Sequence, residues 1–153
     1  MLESVPKWII SSIADHFDKR RDDLFMHVEG TKRKDPTTSS WFELRFNGPD
    51  RELIGKDRYR FTITINCAVI SLLDEQDAYS IHSASGKVAK AFTSSIPIYK
   101  FGKEDTDDSS LVDCMNVRGK ILTNVYGQEN PSDDNTLAEV QGDYEFELTI
   151  TGE

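Results

Sequence analysis

Apolar and polar residues alternate most strictly in the stretch from Tyr59 to Leu73. Every second residue from Tyr59 to Val69 is apolar. The polar residues between them are Arg60, Thr62, Thr64 and Asn66. Alternate side chains of a strand point to opposite faces, so a period of two is typical of a half-buried strand. The pattern therefore predicts one long strand with an apolar face and a polar face.

Two other stretches carry apolar residues at helical spacing. In residues 5–19 they are Val5, Ile9, Ile13 and Phe17, and in residues 77–93 they are Ile81, Ala84, Val88 and Phe92. Ser4 is placed to cap the first helix, and Pro6 is tolerated in its first turn. The second helix should end before Pro97, because the residue preceding a proline is disfavoured in the α conformation. Each helix should bury one apolar face.

Shorter alternating runs at residues 24–29 and 41–47 predict two paired strands. The polar segment 30–40 joins them and is too long for a tight turn, which indicates an exposed, mobile hairpin loop. Residues 47–50, Asn-Gly-Pro-Asp, are a strong turn signal, and a short edge segment should follow at 51–57.

The last third of the chain predicts further strands at 98–101, 111–126 and 140–150, with Gly119 as a bulge in the second. Polar loops at 103–110 and 127–136 separate them. Hairpin connections favour antiparallel pairing, and two amphipathic helices suffice to cover one face of the sheet. We therefore predict one α+β domain spanning residues 1–153. It should be a two-layer structure with a mainly antiparallel sheet of about four to six strands and two amphipathic helices packed on one face.

Composition and charge limit the classes of function. The chain has 153 residues, of which 37% are apolar, below the roughly 45–50% usual in globular domains. Polar loops, or a core completed by a partner, would explain the low value. Residues 1–102 contain 15 basic and 14 acidic residues, whereas residues 103–153 contain 3 and 13. The final third is therefore strongly acidic, which argues against binding of nucleic acid or anionic lipid there but permits DNA to pass without sticking.

Candidate chemistry is sparse. His16, His27 and His82 are far apart and fit no metal or triad pattern, so structural or surface roles are favoured. Segment 83–87 resembles the end of a phosphate loop, but Ile81 stands where the first glycine is required and Val88 replaces the magnesium-binding hydroxyl. The acidic segment 105–109 lacks the glycine and glutamate of a calcium loop. These patterns predict no enzyme, no metal site and no cofactor.

Cysteine content and the N-terminal pattern indicate the cellular compartment. Cys67 and Cys114 are the only cysteines, which favours reduced thiols in an intracellular chain. The apolar run at residues 8–10 is too short for a signal peptide or a membrane span, so no membrane association is expected.

The order of these elements resembles that of the tail-terminator and tail-completion proteins of long-tailed bacteriophages. The resemblance is carried by the N-terminal helix, the strand at 42–47 leading into Gly48-Pro49, the long strand containing Asn66-Cys67-Ala68-Val69, the helix at 77–93 and two final strands. It implies an α+β subunit that forms a homo-oligomeric ring, a hexamer, in the virion tail after assembly in the host cytoplasm. Its implied partners are the tail tube protein and the head–tail connector or neck protein, and DNA passes through without specific binding.

The surfaces that we expect to make contacts are a basic loop, the polar face of the long strand and two acidic loops. Their residues are Lys32, Arg33, Lys34, Thr62, Thr64, Glu104, Asp105, Asp107, Asp108, Asp133 and Asp134. A basic loop meeting an acidic surface on a neighbouring copy would use the charge asymmetry of the chain. Two alternatives stay open. One is another neck or tail component, such as a tube or head-completion subunit, and the other is a small ligand-binding or enzyme-like domain with a pocket between helix and sheet.

Overall fold

The computed structural model describes residues 2–72, 80–100, 111–118, 122–128 and 137–152. In these ranges the helices are α1 (Val5–Arg20), preceded by the 3-10 turn Leu2–Ser4, and α2 (Ser80–Ala89). The strands are β1 (Phe25–Val28), β2 (Ser40–Gly55), β3 (Arg58–Leu72), β4 (Ser95–Tyr99), β5 (Leu111–Val117), β6 (Leu122–Gln128) and β7 (Leu137–Thr151). The predicted α+β class is confirmed.

The strands form one mixed, curled sheet. Its order is β1-β2-β3-β7-β5-β4, and β6 pairs with β7 beside that path. Strand β3 is antiparallel to β7 along its whole length, from Arg58 paired with Thr151 to Leu72 paired with Leu137. Strands β5 and β6 share the other edge of β7. The most strictly alternating predicted strand therefore lies inside the sheet, between β2 and β7.

Both helices contribute to the hydrophobic core on one side of the sheet, which we call the inner face. Every apolar residue predicted to line α1 is fully buried, and Phe17 contacts the rings of Phe42 and Phe92, with centroid distances of 6.3 and 4.6 Å. From α2, Ile81, Ala84 and Val88 are buried. Removing this apolar surface from water is the main driving force for the two-layer arrangement.

The ends of α1 differ in part from the prediction. Ser4 occupies the N-cap position, but its side chain makes no capping hydrogen bond, because its backbone already has helical dihedrals. At the other end, Arg20 Nη1 donates to the carbonyl oxygen of His16 (3.2 Å). Ser12 joins α1 to β4, since its Oγ accepts a hydrogen bond from the backbone N–H of Tyr99 (2.9 Å).

The predicted hairpin at residues 24–47 is wrong in orientation. Strand β1 is parallel to β2, with Phe25 opposite Trp41 and Val28 opposite Leu44. Parallel neighbours require a crossover, and the segment 29–39 is long enough to return the chain to the start of β1. At that return the backbone N–H of Phe25 donates to Thr38 Oγ1 (3.1 Å).

The prediction of a turn at Asn47–Asp50 is also wrong, because β2 continues through these residues with a bulge between Asn47 and Asp50. Gly48 has φ +101°, and a Cβ there would lie 2.8 Å from the carbonyl oxygen of Thr62. Glycine is thus required by close backbone approach inside a strand rather than by a chain reversal. The reversal is the two-residue turn 56–57, where Asp57 adopts φ 55°.

Three further element boundaries differ from those predicted. Helix α2 ends at Ala89, because hydrogen bonds between residues three apart close its last turn, and Phe92 lies beyond it. Pro97 lies inside β4, which is at the edge of the sheet, where a missing N–H is tolerated. The stretch predicted as one strand at 111–126 contains β5 and β6, and Gly119 lies outside the described residues.

Candidate assembly surface

The side of the sheet opposite the core, which we call the outer face, is formed by alternate residues of β2, β3 and β7. Thr62 is paired with Glu147 and Thr64 with Glu145 on β7. On the other side of β3, Thr62 is paired with Asp50. Cross-strand partners share a face, so this surface crosses three strands without interruption and has Thr62 and Thr64 in its middle row.

The bulge in β2 decides which residues reach the outer face beyond it. One extra residue shifts the alternation, so that Asp50 and Glu52 follow Asn47 on this face. Arg51 points the other way, and its guanidinium carbon lies 5.5 Å from the ring centroid of Tyr59. The bulge thereby places a carboxylate, Glu52, across from Arg60.

Arginine and glutamate side chains form a loose network over the outer face. Arg60 lies 3.7 Å from both Glu52 Oε2 and Glu147 Oε2. Arg118 lies 3.6 Å from Glu145 Oε1 and 3.8 Å from Glu147 Oε2. Exposed pairs of this kind each contribute roughly 0–1 kcal/mol. The network therefore sets the charge pattern of the surface more than the stability of the fold.

Strand β7 supplies most of the negative charge of this surface. Its outward carboxylates, which we call the acidic stripe, are Glu139, Asp143, Glu145 and Glu147. Asn66 Nδ2 donates to Asp143 Oδ1 (2.8 Å), and Gln141 Nε2 donates to Glu139 Oε1 (3.1 Å). Amides and arginines thus hold the stripe in place on the sheet.

One end of the outer face is covered by the segment 29–39. Arg33 Nη2 from this segment donates to Glu43 Oε1 (2.6 Å), and Arg45 Nη2 donates to Glu43 Oε2 (2.9 Å). The side chain of Glu43 is only 5% exposed. Burial opposes its ionisation, but the hydrogen bonds and charges of Arg45 and Arg33 outweigh burial, so the pKa of Glu43 lies below its ordinary value.

The three basic residues predicted at the interface therefore differ from one another. The Arg33 side chain is 67% exposed, but its guanidinium is bound to Glu43 within the same chain. Lys32 and Lys34 on either side of it are exposed. The ion pair of Arg33 fixes the segment to the sheet and leaves two lysines for external contacts.

The acidic residues predicted at the interface cannot be placed beside these groups. Glu104, Asp105, Asp107, Asp108, Asp133 and Asp134 lie outside the described residues. The structure thus places the threonines beside the acidic stripe, and the anchored basic segment at the β1–β2 end of the same sheet. Sequence reasoning missed Arg118 and the burial of Glu43, although the alternation of Phe42, Glu43 and Leu44 correctly assigned Glu43 to the outer face.

The histidines and cysteines occupy separate environments. His16 is buried, and its Nε2 donates to the carbonyl oxygen of Ala91 (2.8 Å), whereas His82 is exposed on α2. Cys67 and Cys114 are free thiols, and burial raises the pKa of Cys67 to about 12. Among the described residues no three potential metal ligands cluster. Neither described helix has the length and apolar character needed to cross a membrane.

Cavities on the core side differ from the outer face in chemistry. One of about 330 Å³ is lined by hydroxyls, including that of Ser83, and by Lys87 and Asp23. The hydrogen bond from Lys87 Nζ to Asp23 Oδ1 (3.0 Å) raises the pKa of Lys87 and lowers that of Asp23. A second cavity, of about 270 Å³ and mainly apolar, lies between α2 and the sheet.

Comparison with known proteins identifies structures of similar fold but no function. No protein-family model matches the chain, and no curated protein matches its sequence. Solved structures do match, and one of them covers 93% of this chain and 96% of its own length at a TM-score of 0.54. Its sequence identity is 14%. At that identity the likeness shows the fold alone.

Proposed function

We propose that this chain is a non-enzymatic structural subunit that forms a closed ring with copies of itself and caps a phage tail tube. The ring, a hexamer, joins the tube to the head–tail connector in the virion. The resemblance in element order supplies the class of protein. The observation that carries the proposal is the outer face, which crosses three long strands, is polar and carries no described helix.

The outer face has the properties expected of a surface that meets another subunit. Its threonines and charged side chains are hydrated in a free subunit, and they can also make directional contacts with a neighbouring subunit. Strand β2 adds an open edge, because β1 pairs with it only from Trp41 to Leu44. Its residues 50–53 are exposed, and unpaired strand edges are templates for pairing with another chain.

Charge supports the arrangement of the ring. The acidic residues of the final third other than the cross-strand neighbours of Thr62 and Thr64 suit a channel through which DNA moves without binding. The basic segment 29–39 lies at the opposite edge of the sheet, beside β1 and β2. A contact between two different surfaces of the same subunit is heterologous, and such contacts generate rings when the rotation closes.

The test is the double substitution Thr62→Lys and Thr64→Lys. In the subunit the new lysines stand opposite Glu147 and Glu145, so we expect the fold to persist. At a subunit contact they would introduce two desolvated charges and block assembly. Light scattering and negative-stain imaging of purified protein should show rings for the wild type and monomers for the variant.

The matched control adds two positive charges elsewhere, at the exposed α2 residues His82 and Ser83, as His82→Lys and Ser83→Lys. It should assemble like the wild type. A wild type that stays strictly monomeric at high concentration would refute the ring, and unchanged assembly of the threonine variant would remove the outer face from the contact. Mixing with isolated tail tubes separates a terminator, which binds one tube end, from a tube or head-completion subunit.

A further inference from the structure

The apolar cavity lies on the inner side of the sheet, away from the outer face. Its volume is about 270 Å³. The residues that form its walls include Cys67 and Val69 of β3, Ser85 and Gly86 of α2, and Val140 and Tyr144 of β7. Apolar cavities of about 150 Å³ already accommodate a benzene ring, so this one has room for a molecule of one or two rings.

Two glycines keep this space open. Gly86 is exposed at the rim of the cavity, and a Cβ built there meets no atom within 4 Å, so α2 places no side chain across the opening at this position. A Cβ at Gly142 would lie 2.7 Å from Tyr144 Cε2. Tyr144 therefore lies flat over β7, and its ring stacks on Phe92 with a centroid distance of 3.4 Å and an interplanar angle of 10°. The aromatic wall is fixed in place by this stacking.

The described wall residues carry no charged side chain, and one of their buried polar atoms lacks a hydrogen-bond partner. Burial keeps Cys67 protonated, because it raises the pKa of that thiol to about 12. Ser85 Oγ is buried and has no hydrogen-bond partner among the described residues. Leaving a buried hydroxyl unpaired is unfavourable, and an occupant with one complementary polar group would remove that penalty once the Ser85 side chain turns about χ1 toward the cavity, because its Oγ exposes almost no surface in the free protein.

We propose that this cavity binds a small uncharged molecule with an apolar body of one or two rings and one hydrogen-bonding group that meets Ser85. The apolar walls favour the ring system, and the unpaired Ser85 hydroxyl selects for the polar group. A charged ligand is disfavoured, since none of the described wall residues has a charge to compensate the loss of its hydration. The site does not depend on the proposed ring, because it lies on the other side of the sheet.

Indole and indene are suitable probes, because they have nearly the same shape and only indole carries an N–H donor. Titration followed by methyl resonances of Val69, Val88 and Val140 should show saturable binding of both. Indole should bind about fivefold to tenfold more tightly, which is the effect of one hydrogen bond. Ser85→Ala should reduce the affinity for indole to that for indene and leave indene unchanged.

Gly86→Leu fills the cavity and replaces a helix-weakening residue, so it should abolish binding of both probes while the protein stays folded by circular dichroism. Lys90→Leu is the matched control, because Lys90 is exposed just after α2 and does not line the cavity. It should bind like the wild type. Absence of saturable binding, or equal binding by Gly86→Leu, would overturn the proposal. The proposal would also be overturned if the probes bound only after the protein had been diluted enough to separate its subunits. A neighbouring subunit would then be the occupant of the cavity.

Discussion

The two faces of strand β3 show how one backbone serves two purposes. Phe61, Ile63 and Ile65 point to the inner face and are fully buried in the core. Thr62 and Thr64 alternate with them on the outer face and stay partly exposed beside charged neighbours. The inner residues specify the fold by burying apolar surface, whereas the outer residues are free to specify contacts. A substitution in β3 should therefore affect stability if its position is on the inner face and assembly if its position is on the outer face.

The outer face itself is divided. At one end Glu43 is covered by the segment that carries Arg33, and its cross-strand neighbour Ala68 is also buried, whereas the middle around Thr62 and Thr64 is partly exposed. The covered end resembles a small polar core, in which the Glu43 carboxylate is paired with two guanidinium groups. The open middle has longer and more exposed ion pairs. Only the covered end should contribute appreciably to the free energy of unfolding.

The largest effect should come from adjacent residues on opposite faces. Phe61→Ala removes a fully buried ring and should lower the free energy of unfolding by about 3–5 kcal/mol. Thr62→Ala, one residue away on the outer face, should lower it by about 0.5 kcal/mol or less. Urea denaturation monitored by tryptophan fluorescence measures both. Similar losses for the two variants would contradict the division of roles between the faces.

The bulge that sets the outer face beyond Asn47 offers the next comparison. Gly48→Ala forces a side chain into positive φ and against the Thr62 carbonyl oxygen, so it should destabilise the fold by about 1–3 kcal/mol. Gly55→Ala is the control on the same strand, because the nearest atom to its Cβ is 3.9 Å away. It should change stability by only about 0.5 kcal/mol. Thermal denaturation of both variants distinguishes a required glycine from a tolerated one.

The covered end should respond to loss of its carboxylate. Glu43→Gln removes the charge shared by Arg33 and Arg45 and should lower the free energy of unfolding by about 1–2 kcal/mol at neutral pH. The loss is smaller than for a fully buried ion pair because both arginines are partly exposed. Glu145→Gln, on the open part of the same face, should cost about 0.5 kcal/mol or less. Equal losses in denaturant titrations would show that the segment 29–39 does not anchor to Glu43.

The pH dependence follows from the direction of the pKa shift of Glu43. Its pKa in the folded state lies below the ordinary value of 4.5, so the ion pairs stabilise the fold fully above that pH. This stabilisation is lost as the pH falls through the folded-state pKa. The difference in unfolding free energy between wild type and Glu43→Gln should therefore shrink below about pH 4.5.

The sequence alone determined the elements with long and regular periodicity. Helix α1 and strand β3 were predicted to within one residue at each end, and the predicted strand 140–150 lies within β7, because the chemistry of each position repeats with the geometry of the element. The α+β class followed from their order. The interface residues, the ring and its partners stay predictions.

Only the tertiary structure decided how these elements meet. Sequence reasoning made β1 and β2 a hairpin, but a segment that can cross over permits either orientation, and contacts distant in sequence choose between them. The burial of Glu43 likewise depends on Arg33, which approaches it only after the crossover forms. Local periodicity fixes which face a residue is on. What covers that face is decided by parts of the chain remote in sequence, and this separates the covered end of the outer face from its open middle.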